Sequence, residues 1–233
     1  VGSSFVKYLN NKGNKVITRD RSKLDLLNQS KVEKFFKKNK IDQIYIAAAK
    51  VGGIYANKKY PADFIYENIT ITSNLIHSAY LYGVKKILFI GSSAIYPKNI
   101  NRKLKENDLL TGLLDETNVF YSISKIACIK MCEAYNTQHN LDCRVVVPCN
   151  LYGPNDKFFS TNSHVVPSLV HKFYLAKIKK KNAIFIQGNK FDIRDFLYVD
   201  DFVAACYRVM NLSKNEYKEK IRTGTFHINI SSG

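Results

Sequence analysis

The sequence predicts an α/β protein: a Rossmann-type, doubly wound parallel sheet with a smaller substrate-binding region. Three observations carry that expectation. Apolar runs of strand length alternate with longer stretches of helical period, the pattern of βαβ units. The 233 residues, 45% hydrophobic and 24% charged, suffice to bury a full core. Polar residues follow the apolar runs directly, and an open α/β sheet binds its ligands just outside the carboxyl ends of its strands.

In chain order, a first helix is expected at 3–11, with Phe5, Val6 and Leu9 apolar and Gly13 as its stop. A strand follows at 15–18, then a helix at 31–38 and a strand at 43–47. Residues 61–82 form a long helix and 86–90 a strand. A second long helix at 121–138 repeats Ile, Ala and Met at helical spacing. Further strands are expected at 143–148, 183–187 and 227–230. Because the chain enters a helix with no strand before it, the first strand and most of a glycine-rich turn are expected to lie outside it, as is a C-terminal part of the substrate region.

Composition excludes several classes. There is no apolar run of the roughly 18 residues that a membrane helix needs, nor the apolar core of a signal peptide, so a cytoplasmic protein without a membrane partner is expected. The formal charge of +17 comes from basic residues spread along the chain in short runs, such as KKNK at 37–40 and KIKKK at 177–181. With no nucleic-acid motif beside them, no nucleic-acid partner is expected, although a phosphate-bearing ligand would be drawn to the field. Of five cysteines only Cys128 and Cys132 lie close, at a helical spacing, so reduced thiols and no metal site are read.

Chemistry is concentrated in two motifs. The strand at 86–90 runs into GSSAIYPK, which sets Ser92 and Ser93 at a strand end. About thirty residues later, YSISK puts Tyr121 and Lys125 four apart on one helix face. An ammonium beside a phenol lowers its pKa from about 10, which suits the tyrosine to proton transfer. Together, Ser92, Tyr121 and Lys125 resemble the triad of short-chain dehydrogenase/reductases.

Longer stretches narrow the resemblance. AAAKVGGIYANKKYPADFIYENI (47–69), GSSAIYPK, PCNLYGPND (148–156), NSHVVPSLV (162–170) and RDFLYVDD (194–201) are similar to the GDP-L-fucose synthase family, which belongs to the extended short-chain dehydrogenase/reductases. The resemblance implies NADPH as cofactor, a GDP-linked 4-keto sugar as substrate, and a homodimer built through the two long helices. It divides the chain into an NADP-binding Rossmann domain at 1–155 and, at 156–233, a mixed region of substrate-binding and returning Rossmann elements.

Residue by residue, it implies that Tyr121 protonates the carbon 4 oxygen, that Lys125 tunes Tyr121 and holds the nicotinamide ribose, and that Ser92 hydrogen-bonds the carbonyl oxygen. Gly2, Ala48, Ala49, Gly91, Pro148, Asn150 and Leu151 line the cofactor. His164 serves in catalysis and against the cofactor, while Ser93, Asn150, Lys172, Gln187 and Arg194 face the sugar nucleotide. Charge adds an argument of its own. Arg19 and Arg21 flank a single Asp20 after the strand at 15–18, and two guanidinium groups favour a 2′-phosphate over a bare ribose hydroxyl.

The chain also departs from the family. Members that invert carbons 3 and 5 before reducing carbon 4 carry a Cys directly after the Ser-Ser pair and the His of NSHV. Here the His is His164, but Ala94 stands in the Cys position and cannot move a proton. A 4-ketoreductase with weak or lost epimerisation is therefore expected, with Cys149 as the substitute thiol if epimerisation survives. Lys172 and Gln187 replace a family Arg and Trp, and so remove a bidentate donor and a stacking ring from the sugar pocket. That points to an altered sugar, such as a 6-deoxyheptose. The competing readings are a full epimerase/reductase, a dehydratase or 4-epimerase of the same superfamily, and a non-catalytic nucleotide-sugar or NADPH-binding module.

Overall fold

A computed structural model describes residues 1–158, 163–186, 193–221 and 224–233. The described strands are β1 (Gln43–Ile46), β2 (Lys86–Ile90), β3 (Cys143–Pro148), β4 (Asn150–Tyr152), β5 (Phe196–Tyr198) and β6 (Ile228–Ile230). The described helices are α1 (Gly2–Asn11), α2 (Gln29–Lys38), α3 (Ile54–Lys59), α4 (Pro61–Leu81), α5 (Val119–His139), α6 (Val165–Ile178), α7 (Val199–Asn211) and α8 (Lys214–Lys220). Four strands form a parallel sheet in the order β1-β2-β3-β6, and β4 pairs with β5, also in parallel, as a separate two-stranded unit.

The period of two along a strand decides what each face meets. Ile87 and Phe89 of β2, with Cys143, Val145 and Val147 of β3, face a layer built from α2, α4 and α5. Leu88, Ile90 and Val146 point the other way, into Phe5 and Leu9 of α1 and Phe202, Val203, Cys206 and Met210 of α7. Helices thus cover both faces, which is why these strands read as continuous apolar runs. Arg144 is the one charged side chain in that run and is fully buried. Its guanidinium is paired with the Asp142 carboxylate at 2.9 Å, donates to the Val209 carbonyl and lies 5.0 Å from the Tyr217 ring centre, so the charge is not left bare.

Local chemistry sets the helix ends. Asn28 caps α2 by accepting from the Lys31 amide (3.0 Å), Pro61 occupies the first turn of α4, and Ser213 and Glu216 form a reciprocal box at α8. The long α5 stops at Asn140, which takes the left-handed conformation at φ 52°.

Two expected strands are not formed among the described residues. Residues 15–18 find no partner among the described residues, whose four-stranded sheet ends at β1, so no ladder forms there. Residues 183–186 are likewise unpaired, and Phe185 is 83% exposed. The expected last residue of that run, Gln187, lies outside the described residues.

Candidate active site

The ends of the central strands assemble the site. Gly91 follows β2, and its amide donates to the Val146 carbonyl at 2.8 Å. A side-chain carbon there would meet Val147 Cγ2 at 2.9 Å, so glycine lets the turn sit directly on β3. Ser92 is extended (φ −158°, ψ 143°) and opens a one-turn 3₁₀ helix, Ser93–Ile95, with its Oγ accepting from the Ala94 amide at 3.3 Å. Ser93 and Ala94 lie half-buried in that turn.

Tyr121 and Lys125 reach the same place from the first turns of α5. The Ser92 hydroxyl lies beside that of Tyr121, and the Tyr121 ring stands edge-on to Phe64 of α4 at 6.2 Å. Lys125 is buried, and its Nζ donates to the Ile90 carbonyl at the end of β2 (2.9 Å). That ammonium lies 4.9 Å from the Phe89 ring centre and 5.9 Å from that of Tyr121. Burial pulls its pKa down to about 8.

The expected lowering of the Tyr121 pKa is corrected here. Burial raises it and the contact with the Ser92 hydroxyl offsets only part of the rise, while the Lys125 ammonium donates to the Ile90 carbonyl and has no hydrogen bond to the phenol among the described residues. A phenol that keeps its proton is in the form a proton donor needs.

Around this trio lie the remaining expected cofactor positions. Gly2 opens α1, whose first turn has no acidic residue and no side-chain cap, with Ala47 Cβ 4.0 Å from the position a Gly2 side-chain carbon would take. Ala48 is exposed and Ala49 half-buried beyond β1. Pro148 is the buried last residue of β3. Both Asn150 nitrogens donate to the Asp195 carbonyl (3.2 and 3.0 Å), and Leu151 joins the apolar layer of α1 and α7. Arg19 is exposed near Phe35, whereas Arg21, 70% exposed, is paired with Glu67 at 3.5 Å and Asp25 at 3.8 Å. The first turn of α1, a buried lysine beside a strand end and two exposed guanidiniums are a donor set that fits a dinucleotide with a 2′-phosphate.

The second region is less closely tied to the trio. His164 is the exposed N-cap residue of α6, and no hydrogen bond joins it to Ser92, Tyr121 or Lys125 among the described residues. Lys172, also exposed, reaches the Phe185 carbonyl at 3.5 Å. Arg194 is exposed close to Asp115, whose carboxyl is held below its ordinary range mainly by Thr117 hydrogen bonds, with the Arg194 charge contributing. The Cys149 thiol is pushed up to about 11 by burial and by the Asp195 carboxylate, so it keeps its proton at neutral pH.

Sequence reading missed Asn68. Its side chain is 2% exposed, accepts from the Lys50 amide (2.9 Å) and donates to the carbonyls of Lys50 (3.1 Å) and Phe64 (2.8 Å), which ties the loop after β1 to α4. The available signal was a polar residue on the apolar face of a long helix.

A family described as "NAD dependent epimerase/dehydratase family" matches residues 1–230. The chain belongs to this family. Within it, the GDP-L-fucose synthase of Escherichia coli (strain K12) is 46% identical over 234 residues, which span 100% of this chain and 73% of that enzyme. Among solved structures, a GDP-D-glycero-L-gluco-heptose synthase from Campylobacter jejuni, in the presence of NADPH, superposes with a TM-score of 0.90 at 33% identity, covering 100% of this chain and 77% of the other. A GDP-mannoheptose C4 reductase from Campylobacter jejuni with NADP bound gives 0.87 at 32% identity, with the same coverage. This member of the epimerase/dehydratase family is thus an enzyme of the GDP-L-fucose synthase branch. Among its described residues, no helix is long and apolar enough to cross a membrane.

Proposed function

We propose that the protein is an NADPH-dependent 4-ketoreductase of a GDP-linked 4-keto-6-deoxy sugar, hexose or heptose, in which epimerisation at carbons 3 and 5 is lost or weak. One observation carries the reading: Ser92, Tyr121 and Lys125 converge on one strand end, while the side chain two residues after Ser92 is the methyl of Ala94. Bound NADPH supplies the hydride to carbon 4. Ser92 holds the ketone oxygen by a hydrogen bond, Tyr121 gives that oxygen its proton, and Lys125 holds the nicotinamide ribose beside them. Arg21, now paired with Glu67, would hold the 2′-phosphate, and Arg194 with Lys172 would face the sugar nucleotide. Relatives that reduce GDP-heptoses at carbon 4 support a substrate outside the ordinary fucose precursor.

The alternative, a full epimerase/reductase using Cys149, is disfavoured because a thiol with a pKa of about 11 is a poor base at neutral pH. A non-catalytic module would have no use for all three members of the trio. We also place a homodimer contact on α4 and α5, whose Tyr66, Phe120 and Ile123 are exposed.

NADPH consumption tests the reading. With GDP-4-keto-6-deoxymannose the protein is expected to oxidise one NADPH per sugar reduced, and Tyr121→Phe to lose on the order of 10²–10⁴-fold in rate while still binding NADPH. Turnover without net NADPH loss would identify a dehydratase or 4-epimerase and overturn it.

A further inference from the structure

We infer that Tyr96 is a positioning residue for the catalytic turn, clamped by His227 and Asn229 so that Ser92 is held against the far side of the sheet. The inference rests on the reading that Ser92 binds the ketone oxygen. On its own the turn is loosely made: its bonds, Ile95 N to Ser92 O, Tyr96 N to Ser93 O and Ala94 N to Ser92 Oγ, measure 3.2, 3.3 and 3.3 Å. A hydrogen bond from Ser92 to a reacting oxygen tolerates only about half an ångström of error, so something else has to fix the turn.

Tyr96 ends that turn and is 4% exposed. Its hydroxyl donates to Asn229 Oδ1 at 2.5 Å and lies 2.7 Å from Nε2 of His227, which is 1% exposed. The Asn229 amide in turn donates to Glu106 Oε1 at 3.0 Å. In the sheet β6 is separated from β2 by β3, so the clamp passes over β3 and joins the turn after β2 to a strand two places away. The neighbouring Ile230 carbonyl accepts the Cys149 amide at 3.1 Å, which ties the Pro148–Leu151 loop to the same strand.

Proton accounting fixes the direction of each bond. A hydroxyl has one proton, and Tyr96 gives it to Asn229 Oδ1, so it must accept from His227 Nε2–H. His227 Nδ1 has no partner among the described residues in its buried position. A bare lone pair there costs less than an orphaned N–H, so both arguments place the proton on Nε2.

Three variants test the clamp. Tyr96→Phe deletes its centre, His227→Leu its donor, and His227→Gln replaces the donor with an amide that reaches the same oxygen. For the first two, kcat for ketone reduction is expected to fall on the order of 10–100-fold with the NADPH Kd and the sugar KM unchanged, while His227→Gln keeps the wild-type kcat. Nitrogen-15 spectra of the wild type should report the Nε2–H tautomer. Wild-type kcat in both Tyr96→Phe and His227→Leu, equal loss in the two His227 variants, or an Nδ1–H tautomer would overturn the clamp. If Tyr96→Phe does not fold, the two His227 variants decide. If the wild type consumes no NADPH, the proposed reaction fails and the clamp is judged separately: amide exchange at Ala94 and Ile95 must quicken in His227→Leu but not in His227→Gln, and unchanged exchange in both sinks it.

Discussion

A buried ammonium leaves a mark on stability that can be read with pH. Lys125 titrates at about 8 in the fold against an ordinary 10.5, because burial disfavours its charge. Between those values the unfolded chain binds more protons than the folded one, so this residue makes stability rise with pH across that window. Its contribution is least favourable below about pH 8 and is fully relieved above 10.5. Urea unfolding from pH 7.5 to 10 should therefore show a steeper upward trend, or a shallower fall, in the wild type than in Lys125→Met. Parallel curves would mean that Lys125 is not desolvated. Single residues were also where sequence reading was strongest and where it failed. Ser92, Tyr121 and Lys125 were legible because strand end and helix spacing bring them together whatever the details. The direction of the Tyr121 shift was not, since spacing says nothing about which acceptor a lysine takes, here the Ile90 carbonyl.

At the scale of elements, the loop after β1 is tied to α4 by the Asn68 side chain, beside the ion pairs of Lys50 with Asp63 and Glu67. Asn68→Ala removes three hydrogen bonds and strands the part-buried amide and carbonyl of Lys50. A loss of about 1–3 kcal/mol in unfolding free energy is expected, read as a lowered urea midpoint with an unchanged slope. An unmoved midpoint would show that the loop holds itself. Strand legibility followed the same logic of partners. β2 and β3 were plain because helices cover both of their faces, so that every residue is apolar or internally paired. The runs at 15–18 and 183–186 are composed like strands but have no ladder to join among the described residues, and composition carries no information about partners.

For the whole molecule, the alternation of strand and helix makes the site almost inevitable: in a parallel sheet all carboxyl ends lie on one edge, and the turns after β1, β2 and β3 must meet there. That edge and its glycine were legible from the chain alone, while most of the cofactor-facing positions were implied by a resemblance. The region from α6 onward was less so, because His164, Lys172 and Arg194 are exposed and their expected roles rest on a sugar nucleotide rather than on packing. The central claim is that the trio reduces carbon 4 while the position of Ala94 no longer moves protons at carbons 3 and 5. It is tested most directly by incubating the protein with NADPH and GDP-4-keto-6-deoxymannose in deuterated water and locating deuterium in the product. Reduction without deuterium at carbons 3 and 5 is the predicted result; deuterium at both, with NADPH consumed, would contradict it and show a full epimerase/reductase.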